Sequence, residues 1–325
     1  MTDAKDVTDT KDMPMLDRRD RRGSRRRSRI TAGSLVAALL LVGGGLVWML
    51  RPEPESGTGT AQLTPERCAV AQAPVSATSG LEDPAKLQIT RQLITSAENS
   101  TLDWQAQYGY IQYNVEGNEA ENRGYTAGIV GFTSRTHDML ELVQRYTQQV
   151  PGNPLAPFVE PLQAVDGTSS REGLGQPFVT AWREAANDPR FQALQRTLTD
   201  EMYVRPGLTA AHADGLGALG QYIYVDALVM HGPGPEPTSF DGIRSEVLGS
   251  TAPPSRGGDE TDYLEAFLDR RQWAMEQEDG HRNTSRVEAQ RAFLREGNLG
   301  LTPPLSWTMY GDRYQIAAPQ ERSCS

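Results

Sequence analysis

The sequence is poor in lysine and lacks several common catalytic motifs. Lysine occurs only at Lys5, Lys11 and Lys86, so no GxxxxGK phosphate-binding loop is possible beyond residue 86. The four histidines show no HExxH or HxxxH spacing, which argues against a zinc site. No GxSxG motif is present, so a serine nucleophile on a strand-to-helix elbow is not indicated. We therefore expect neither a metal nor an organic cofactor.

Charge is distributed unevenly along the chain. The whole chain carries −10, residues 1–30 carry +4 and Arg51 adds one more positive charge, so residues 52–325 carry −15. An acidic domain repels nucleic acid and attracts polycations. The same charge is also compatible with a role in solubility alone. A nucleic-acid partner is therefore not expected for the main part of the chain.

Residues 31–50 form a stretch of twenty residues without a charge. A helix rising about 1.5 Å per residue spans, over this length, a hydrocarbon core of roughly 30 Å. The arginine cluster at residues 18–29 favours a cytoplasmic N-terminus over nucleic-acid binding. We predict a basic cytoplasmic tail over 1–30, a transmembrane signal anchor or a cleaved export signal over 31–50, and a flexible linker over 51–80.

The only two cysteines, Cys68 and Cys324, flank the remaining part of the chain. This part, residues 81–325, is expected at the cell surface or outside the cell. In such an oxidising compartment, two cysteines favour one disulfide. Two free thiols are the alternative.

A helix is predicted to start at Asp83-Pro84, an N-cap followed by proline, and to end near Glu98. The helix dipole disfavours an anion at that end and favours a protonated carboxyl. A glutamate in a solvated last turn is the structural alternative. A polar loop downstream carries further carboxylates, at Glu116, Glu119 and Glu121. A carboxylic acid at a helix end facing a second carboxylate is what cleavage of a glycosidic bond requires.

The rest of the chain reads as mainly helical, with a small sheet near residues 110–132 and Pro/Gly-rich connections. We predict further helices over 136–148, 177–186, 188–201, 210–230, 261–277 and 284–296.

Several blocks in register resemble the family 46 glycoside hydrolases, which are bacterial chitosanases. They read SAENSTLDWQAQYGYI, RGYTAGIVGFTSRTHDMLELV, GLGALGQYIYVDALVMHGPG, GGDETDYLEAFLDRR, TSRVEAQRAFL and GNLGLTPPLSWTMYGDRY. The resemblance covers about residues 81–316. It implies an α+β, mainly helical, lysozyme-like catalytic domain with two lobes, a small sheet and a cleft between the lobes. It also implies endo-hydrolysis of β-1,4-linked glucosamine with inversion.

The resemblance carries roles over to matching positions. Glu98 matches the general acid, and Thr126 matches a threonine that holds the attacking water. Other charged residues match a network behind the cleft, at Asp226, Arg271 and Arg286. A third group matches substrate-binding positions, at Arg123, Asp138, Glu278 and His281.

The second carboxylate departs from the family pattern. Family members present an aspartate in DGRGYT, whereas this chain has ENRGYT after a longer loop. When the family motif is aligned on Arg123, Glu121 takes the position of the general base. Glu116 is the next candidate, and Glu119 is also possible. Arg282 stands where the family often has aspartate, which would alter one contact to an amino sugar.

The predicted function is therefore hydrolysis of chitosan by a monomer without cofactors. Two alternatives stay open: a glycan-binding protein that has lost catalysis, and a lysozyme-like enzyme acting on peptidoglycan. The acetylation preference and the product length are not determined by the sequence.

Overall fold

The computed structural model describes residues 68–70, 75–115, 117, 122–277 and 283–319. The predicted tail and membrane segment, and most of the linker, lie outside these ranges. Within them, no helix is both long and apolar enough to cross a membrane. The prediction for residues 31–50 therefore stays a prediction.

The described part of the chain is mainly helical, as the sequence predicted, and it contains two small sheets, of which the sequence predicted one. The helices are α1 Pro84–Glu98, α2 Asp138–Gln149, α3 Val159–Val165, α4 Gly175–Ala185, α5 Pro189–Thr199, α6 Arg205–Asp214, α7 Ala218–His231, α8 Phe240–Ser250, α9 Glu260–Glu276 and α10 Ser285–Arg295. The strands are β1 Cys68–Val70, β2 Ile111–Tyr113, β3 Tyr125–Ala127, β4 Phe132–Thr133, β5 Leu305–Met309 and β6 Asp312–Ala317.

Helix α1 begins and ends where the sequence signals place it. The Asp83 side chain accepts a hydrogen bond from the Ala85 amide at 2.9 Å, and Pro84 is the first helical residue. Proline is tolerated there because the first amides of a helix have no partner within the helix. The helix ends at Glu98, and the amide of the next residue, Asn99, still bonds to the carbonyl of Thr95 at 2.8 Å. Glu98 therefore stands at the C-terminus of a well-defined helix.

One of the two sheets was predicted from the sequence, and the other was not. The first has the order β2-β3-β4, is antiparallel and matches the sheet expected near residues 110–132. The second has the order β1-β6-β5 and was not predicted. Its outer strand β1 runs parallel to β6, so that Cys68 lies opposite Gln315. Cys324 lies outside the described residues, and none of the residues described is a free cysteine.

Two predicted helices are interrupted. The helix expected over 210–230 is in fact α6 and α7, separated at Gly215, whose φ is +77°. A Cβ at Gly215 would lie 2.8 Å from the amide nitrogen of Ser255, so both backbone conformation and close approach require glycine. The helix expected over 188–201 ends at Thr199 and continues as one π-helical turn, Asp200–Val204.

Helix α7 is the most completely buried helix of the described chain. Every residue of α7 is buried, including the charged Asp226 near its middle. An apolar helix surrounded on all sides belongs in a protein core. It therefore holds Asp226 far from solvent, where the carboxylate needs charged partners.

Lys86 is also fully buried. Its Nζ donates to the carbonyl oxygen of Ser79. Burial lowers the pKa of this amine, and the nearby charge of Asp83 raises it in part. Because the other two lysines stand at positions 5 and 11, Lys86 is the only lysine between residue 12 and residue 325.

Two tryptophans provide a matched test of core packing. Trp182 is fully buried between Phe178 and Phe191, and its Nε1 donates to the Tyr108 carbonyl at 3.1 Å. We expect Trp182→Ala to lower the free energy of unfolding by about 3–5 kcal/mol, because it leaves a cavity. Trp273 is 39% exposed, so Trp273→Ala should change it by about 1 kcal/mol or less. Urea unfolding measures both, and equal losses would contradict the assigned core.

Candidate active site

Glu98 lies at the edge of a buried charge network. Its side chain is 6% exposed, and Oε1 accepts a hydrogen bond from Nη1 of Arg286 at 2.6 Å. Arg286 is the second residue of α10. The contact therefore joins the end of α1 to the start of a helix 188 residues further along the chain.

Arg286 also binds Asp226 of α7. Its Nη2 lies 2.7 Å from Oδ1 of Asp226, and its Nε lies 3.0 Å from both carboxylate oxygens. Arg271 of α9 approaches the same carboxylate, with Nη2 at 2.7 Å from Oδ2. Gln290 completes the cluster by donating to Oδ2 at 2.7 Å while accepting from Arg271 Nη1 at 2.7 Å. Asp226, Arg271 and Gln290 have no exposed surface, so solvent does not screen these contacts.

The network fixes the charge state of Asp226. Burial by itself raises the pKa of this carboxyl, but the guanidinium groups of Arg286 and Arg271 outweigh it and hold the pKa well below the usual range. Burial lowers the pKa of Arg286, yet Asp226 and Glu98 together raise it well above its ordinary value. Asp226 is therefore a permanent anion and Arg286 a permanent cation next to Glu98.

Thr126, Arg123 and Asp138 come from the β2-β3-β4 sheet and the helix that follows it. Thr126 is in β3, paired with Gln112 on one side and Thr133 on the other. Its hydroxyl is buried and has no hydrogen-bond partner among the described residues. A buried hydroxyl of this kind is suited to binding a water molecule or a ligand. Arg123 precedes β3 and is 4% exposed.

Asp138 is the first residue of α2 and is held by three donors. Its Oδ1 accepts from the amide of Thr133 at 2.9 Å, the hydroxyl of Thr136 at 2.9 Å and the amide of Met139 at 2.8 Å. Burial raises the pKa of Asp138 to about 6, and these hydrogen bonds oppose the rise. The group therefore changes charge within the range in which amines stay protonated.

Three further residues in or beside the charge network of Asp226 were not predicted. Gln290 is four residues after Arg286, on the same face of α10, so helical spacing could have indicated it. His231, at the end of α7, accepts from Arg271 Nε at 3.3 Å. Tyr310 lies at the turn between β5 and β6. Burial raises its pKa to about 12, with Arg286 lowering it and Glu98 raising it. No local sequence signal connects Tyr310 to the network.

Several predicted site residues lie outside the described ranges: Glu116, Glu119, Glu121, Glu278, His281 and Arg282. The backbone that follows Glu121 is well anchored. Asn122 is fully buried, and its Oδ1 accepts from the amide of Gly124 at 2.8 Å. Its backbone oxygen accepts from Arg135 at 3.0 Å. Within the described ranges, no group of three or more histidine, cysteine or acidic side chains is placed to hold a metal ion.

Sequence comparison shows the family. The model of glycosyl hydrolase family 46 matches residues 92–305. A chitosanase of Streptomyces sp. (strain N174) is 53% identical over 243 residues, which cover 74% of this chain and 86% of the relative. A chitosanase of Nocardioides sp. (strain N106) is 46% identical over 266 residues, covering 82% and 92%. The chain belongs to glycosyl hydrolase family 46.

Solved structures agree with the sequence relatives. A co-crystal structure of chitosanase OU01 with substrate has a TM-score of 0.69 and 49% identity, covering 74% of this chain and 99% of that one. A mutant chitosanase from Bacillus subtilis MY002, complexed with 6 GlcN, has a TM-score of 0.63 and 30% identity, covering 71% and 98%. The helical architecture is thus that of the family.

The raised pKa of Asp138 leads to a test by pH. The pKa of Asp138 is about 6 in the folded state, whereas an aspartate in an unfolded chain has a pKa of about 3.9. As pH rises from about 4 to 6, the carboxyl therefore loses its proton more readily in the unfolded state, and the fold loses stability. Asp138→Asn keeps an oxygen for the three donors and removes this penalty. We expect the free energy of unfolding of the variant, relative to that of the wild type, to rise by about 1–3 kcal/mol between pH 4 and pH 7. The lower end of this range allows for the partial exposure of Asp138. Urea unfolding across this range measures it, and a constant difference would contradict the raised pKa.

Proposed function

We propose that this chain is an endo-acting chitosanase that cleaves β-1,4-glucosaminyl bonds with inversion. Membership of family 46 and relatives described as chitosanases support this reaction. The observation that carries it for this chain is the buried contact of Glu98 with the Arg286–Asp226 pair. We further propose the family's two-lobed, lysozyme-like arrangement with a substrate cleft between the lobes.

Glu98 is the proposed general acid. It must hold a proton for the leaving oxygen while fixed in one orientation. The contact of Oε1 with Arg286 helps to provide the orientation. The permanent negative charge of Asp226 offsets part of the positive charge that Arg286 presents to Glu98.

The second carboxylate is proposed to be Glu121, acting as the general base on a water molecule held by Thr126. Glu121 directly precedes the anchored Asn122, and the hydroxyl of Thr126 is buried with no partner among the described residues. Inverting enzymes require about 6.5–9.5 Å between the two carboxyl groups, which leaves room for the water. Glu116 and Glu119 are the alternatives for the base.

The polymer is proposed to be recognised through its positive charge. Residues 52–325 carry −15, which draws a polycation towards the domain. Asp138, Arg123, Glu278 and His281 are the proposed substrate-binding side chains. Asp138 is ionised at pH values above its pKa of about 6, where it can pair with an ammonium group.

We propose that the catalytic domain comprises residues 81–325 and lies outside the cell, anchored by residues 31–50 or released after cleavage, as a monomer. A disulfide between Cys68 and Cys324 would reinforce the second sheet. The parallel pairing of β1 with β6 supports it, because β6 ends seven residues before Cys324. The bond would fasten the strand that enters the domain to the end of the chain.

One assay separates the proposed function from its alternatives. The purified protein should shorten chitosan, with products of intermediate length first, and release nothing from peptidoglycan. Glu98→Gln should lower kcat by about 10²–10⁴-fold, because it removes the proton donor. Glu172→Gln, an exposed glutamate, is the control and should leave kcat unchanged. Binding of chitosan oligomers without product would support a non-catalytic protein, and release from peptidoglycan would support a lysozyme-like enzyme.

Separate variants assign the base. We expect Glu121→Gln to lower kcat by about 10²–10³-fold, because water then lacks its proton acceptor. Glu116→Gln and Glu119→Gln, in the same loop, should keep kcat within a few-fold of wild type and serve as matched controls. Rates are measured as reducing ends released from chitosan. A Glu121→Gln variant with near-normal turnover would rule out Glu121.

A further inference from the structure

Asn122 is a buried polar residue between two residues of the proposed site. It follows Glu121, the proposed base, and precedes Arg123, a proposed substrate-binding residue. Asn122 itself has no exposed surface. A buried amide that lacks hydrogen-bond partners is costly, so its contacts constrain the path of the backbone at this point.

The amide oxygen of Asn122 closes a turn around Arg123. Oδ1 accepts from the backbone N–H of Gly124, two residues further on, at 2.8 Å. This is an Asx turn, in which a side chain takes the place of a backbone carbonyl. Gly124 has a φ of +76°, and its carbonyl oxygen accepts from the amide of Asn114 at 2.9 Å. The turn therefore sets the position of Arg123 relative to β3, which starts at Tyr125.

The amide nitrogen of Asn122 connects this turn to a neighbouring loop through Tyr113. Nδ2 donates to the hydroxyl of Tyr113 at 3.1 Å, and this hydroxyl donates to the carbonyl oxygen of Ser169 at 3.1 Å. A carbonyl oxygen can only accept and a hydroxyl has a single proton, so the direction of each bond in the series is determined. The amide of Asn122 therefore presents Nδ2 to Tyr113 and Oδ1 to Gly124.

Tyr113 offers Asn122 a fixed point of attachment. It is the last residue of β2 and pairs with Tyr125 of β3. The two rings pack edge to face, with their centroids 5.4 Å apart, and the guanidinium group of Arg171 lies 4.6 Å from the centroid of the Tyr113 ring. Sheet pairing and ring contacts thus hold Tyr113 independently of Asn122, and its hydroxyl can fix the asparagine amide.

We propose that Asn122 and Tyr113 are positioning residues for hydrolysis. They fix the backbone at Asn122, to which the proposed base and Arg123 are joined on either side. The proposal rests on the proposed function and extends it to two residues that take no part in the acid–base chemistry. It also gives a role to a departure from the family motif. The motif DGRGYT has a glycine where this chain has Asn122, and a glycine has no side chain to make these bonds.

Tyr113→Phe tests the proposal by removing one hydroxyl and leaving the ring. We expect kcat on chitosan to fall about tenfold and KM to rise about threefold, because both neighbours of Asn122 lose their fixed position. A loss of stability alone would lower the folded fraction and leave KM unchanged. Asn122→Ala should have an equal or larger effect. The double variant should be no worse than Asn122→Ala, because both substitutions break the same series of bonds. Losses that add in the double variant would contradict the proposal.

Asn153→Ala is the matched control. Asn153 is also buried, accepts from the amide of Leu155, two residues further on, at 2.8 Å, and donates to Thr147 at 3.1 Å. It follows the C-terminal end of α2, whereas Asp138 begins that helix. This variant should lose some stability but keep the wild-type kcat and KM. If Asn122→Ala behaves in the same way, the asparagine is only structural and the proposal is wrong.

Hydrogen exchange without substrate separates this proposal from the proposed function. The Gly124 amide should exchange faster in Tyr113→Phe than in wild type, because the amide of Asn122 is no longer fixed. The Leu155 amide, in the same kind of turn, should exchange at its wild-type rate. Unchanged exchange at Gly124 would overturn the proposal. A wild-type protein that releases no product from chitosan would instead contradict the proposed function, while faster exchange at Gly124 would still support the link between Tyr113 and Asn122.

Discussion

The structure of the site depends on one guanidinium group that binds two carboxyls. Arg286 bonds Asp226 from inside the protein and Glu98 from the other side, with almost no exposure to water. Buried ion pairs of this kind gain little net stability, since desolvation offsets their attraction, but the loss of one partner is costly. The arrangement is therefore better understood as a way of holding Glu98 in place than as a source of stability. Asp226 makes it possible, because its negative charge lets Arg286 remain charged in the core, and Arg271 in turn helps to keep Asp226 ionised.

Elements that are distant in sequence meet at this point. The end of α1 supplies Glu98, α7 supplies Asp226, α9 supplies Arg271 and α10 supplies Arg286. On the other side, the β2-β3-β4 sheet and the start of α2 supply Thr126 and Asp138. The π turn at Asp200–Val204 has ion pairs to α1 and α2. Local helix ends thus provide the functional groups, and long-range charge contacts set their relative positions.

Much of this could be predicted from the sequence, for identifiable reasons. Capping residues and apolar spacing located α1, and its end correctly placed Glu98. The hairpin β5–β6 has a recognisable signal, since Leu305, Trp307 and Met309 are buried in alternation before the turn at Tyr310-Gly311, but the prediction overlooked it. The π turn was not predicted, because the contacts of its Asp200 and Glu201 with Arg91 and Arg145 are tertiary and leave no local pattern. The break at Gly215 did have a local signal, since a glycine in the left-handed conformation commonly ends a helix, but the prediction overlooked it.

The burial of Lys86 has a practical consequence. From residue 12 onwards every cationic side chain other than histidine is an arginine, apart from this one amine, which has no exposed surface and bonds to Ser79. Aldehyde cross-linkers attack primary amines, and the proposed substrate is a polymer of them. A gel set with such a reagent around the protein would consume amines of the polysaccharide while leaving the buried lysine of the folded domain unmodified. Attachment of the protein to the gel would then fall on the α-amino group, and on Lys5 and Lys11 where these are retained, and not on a side chain of residues 81–325.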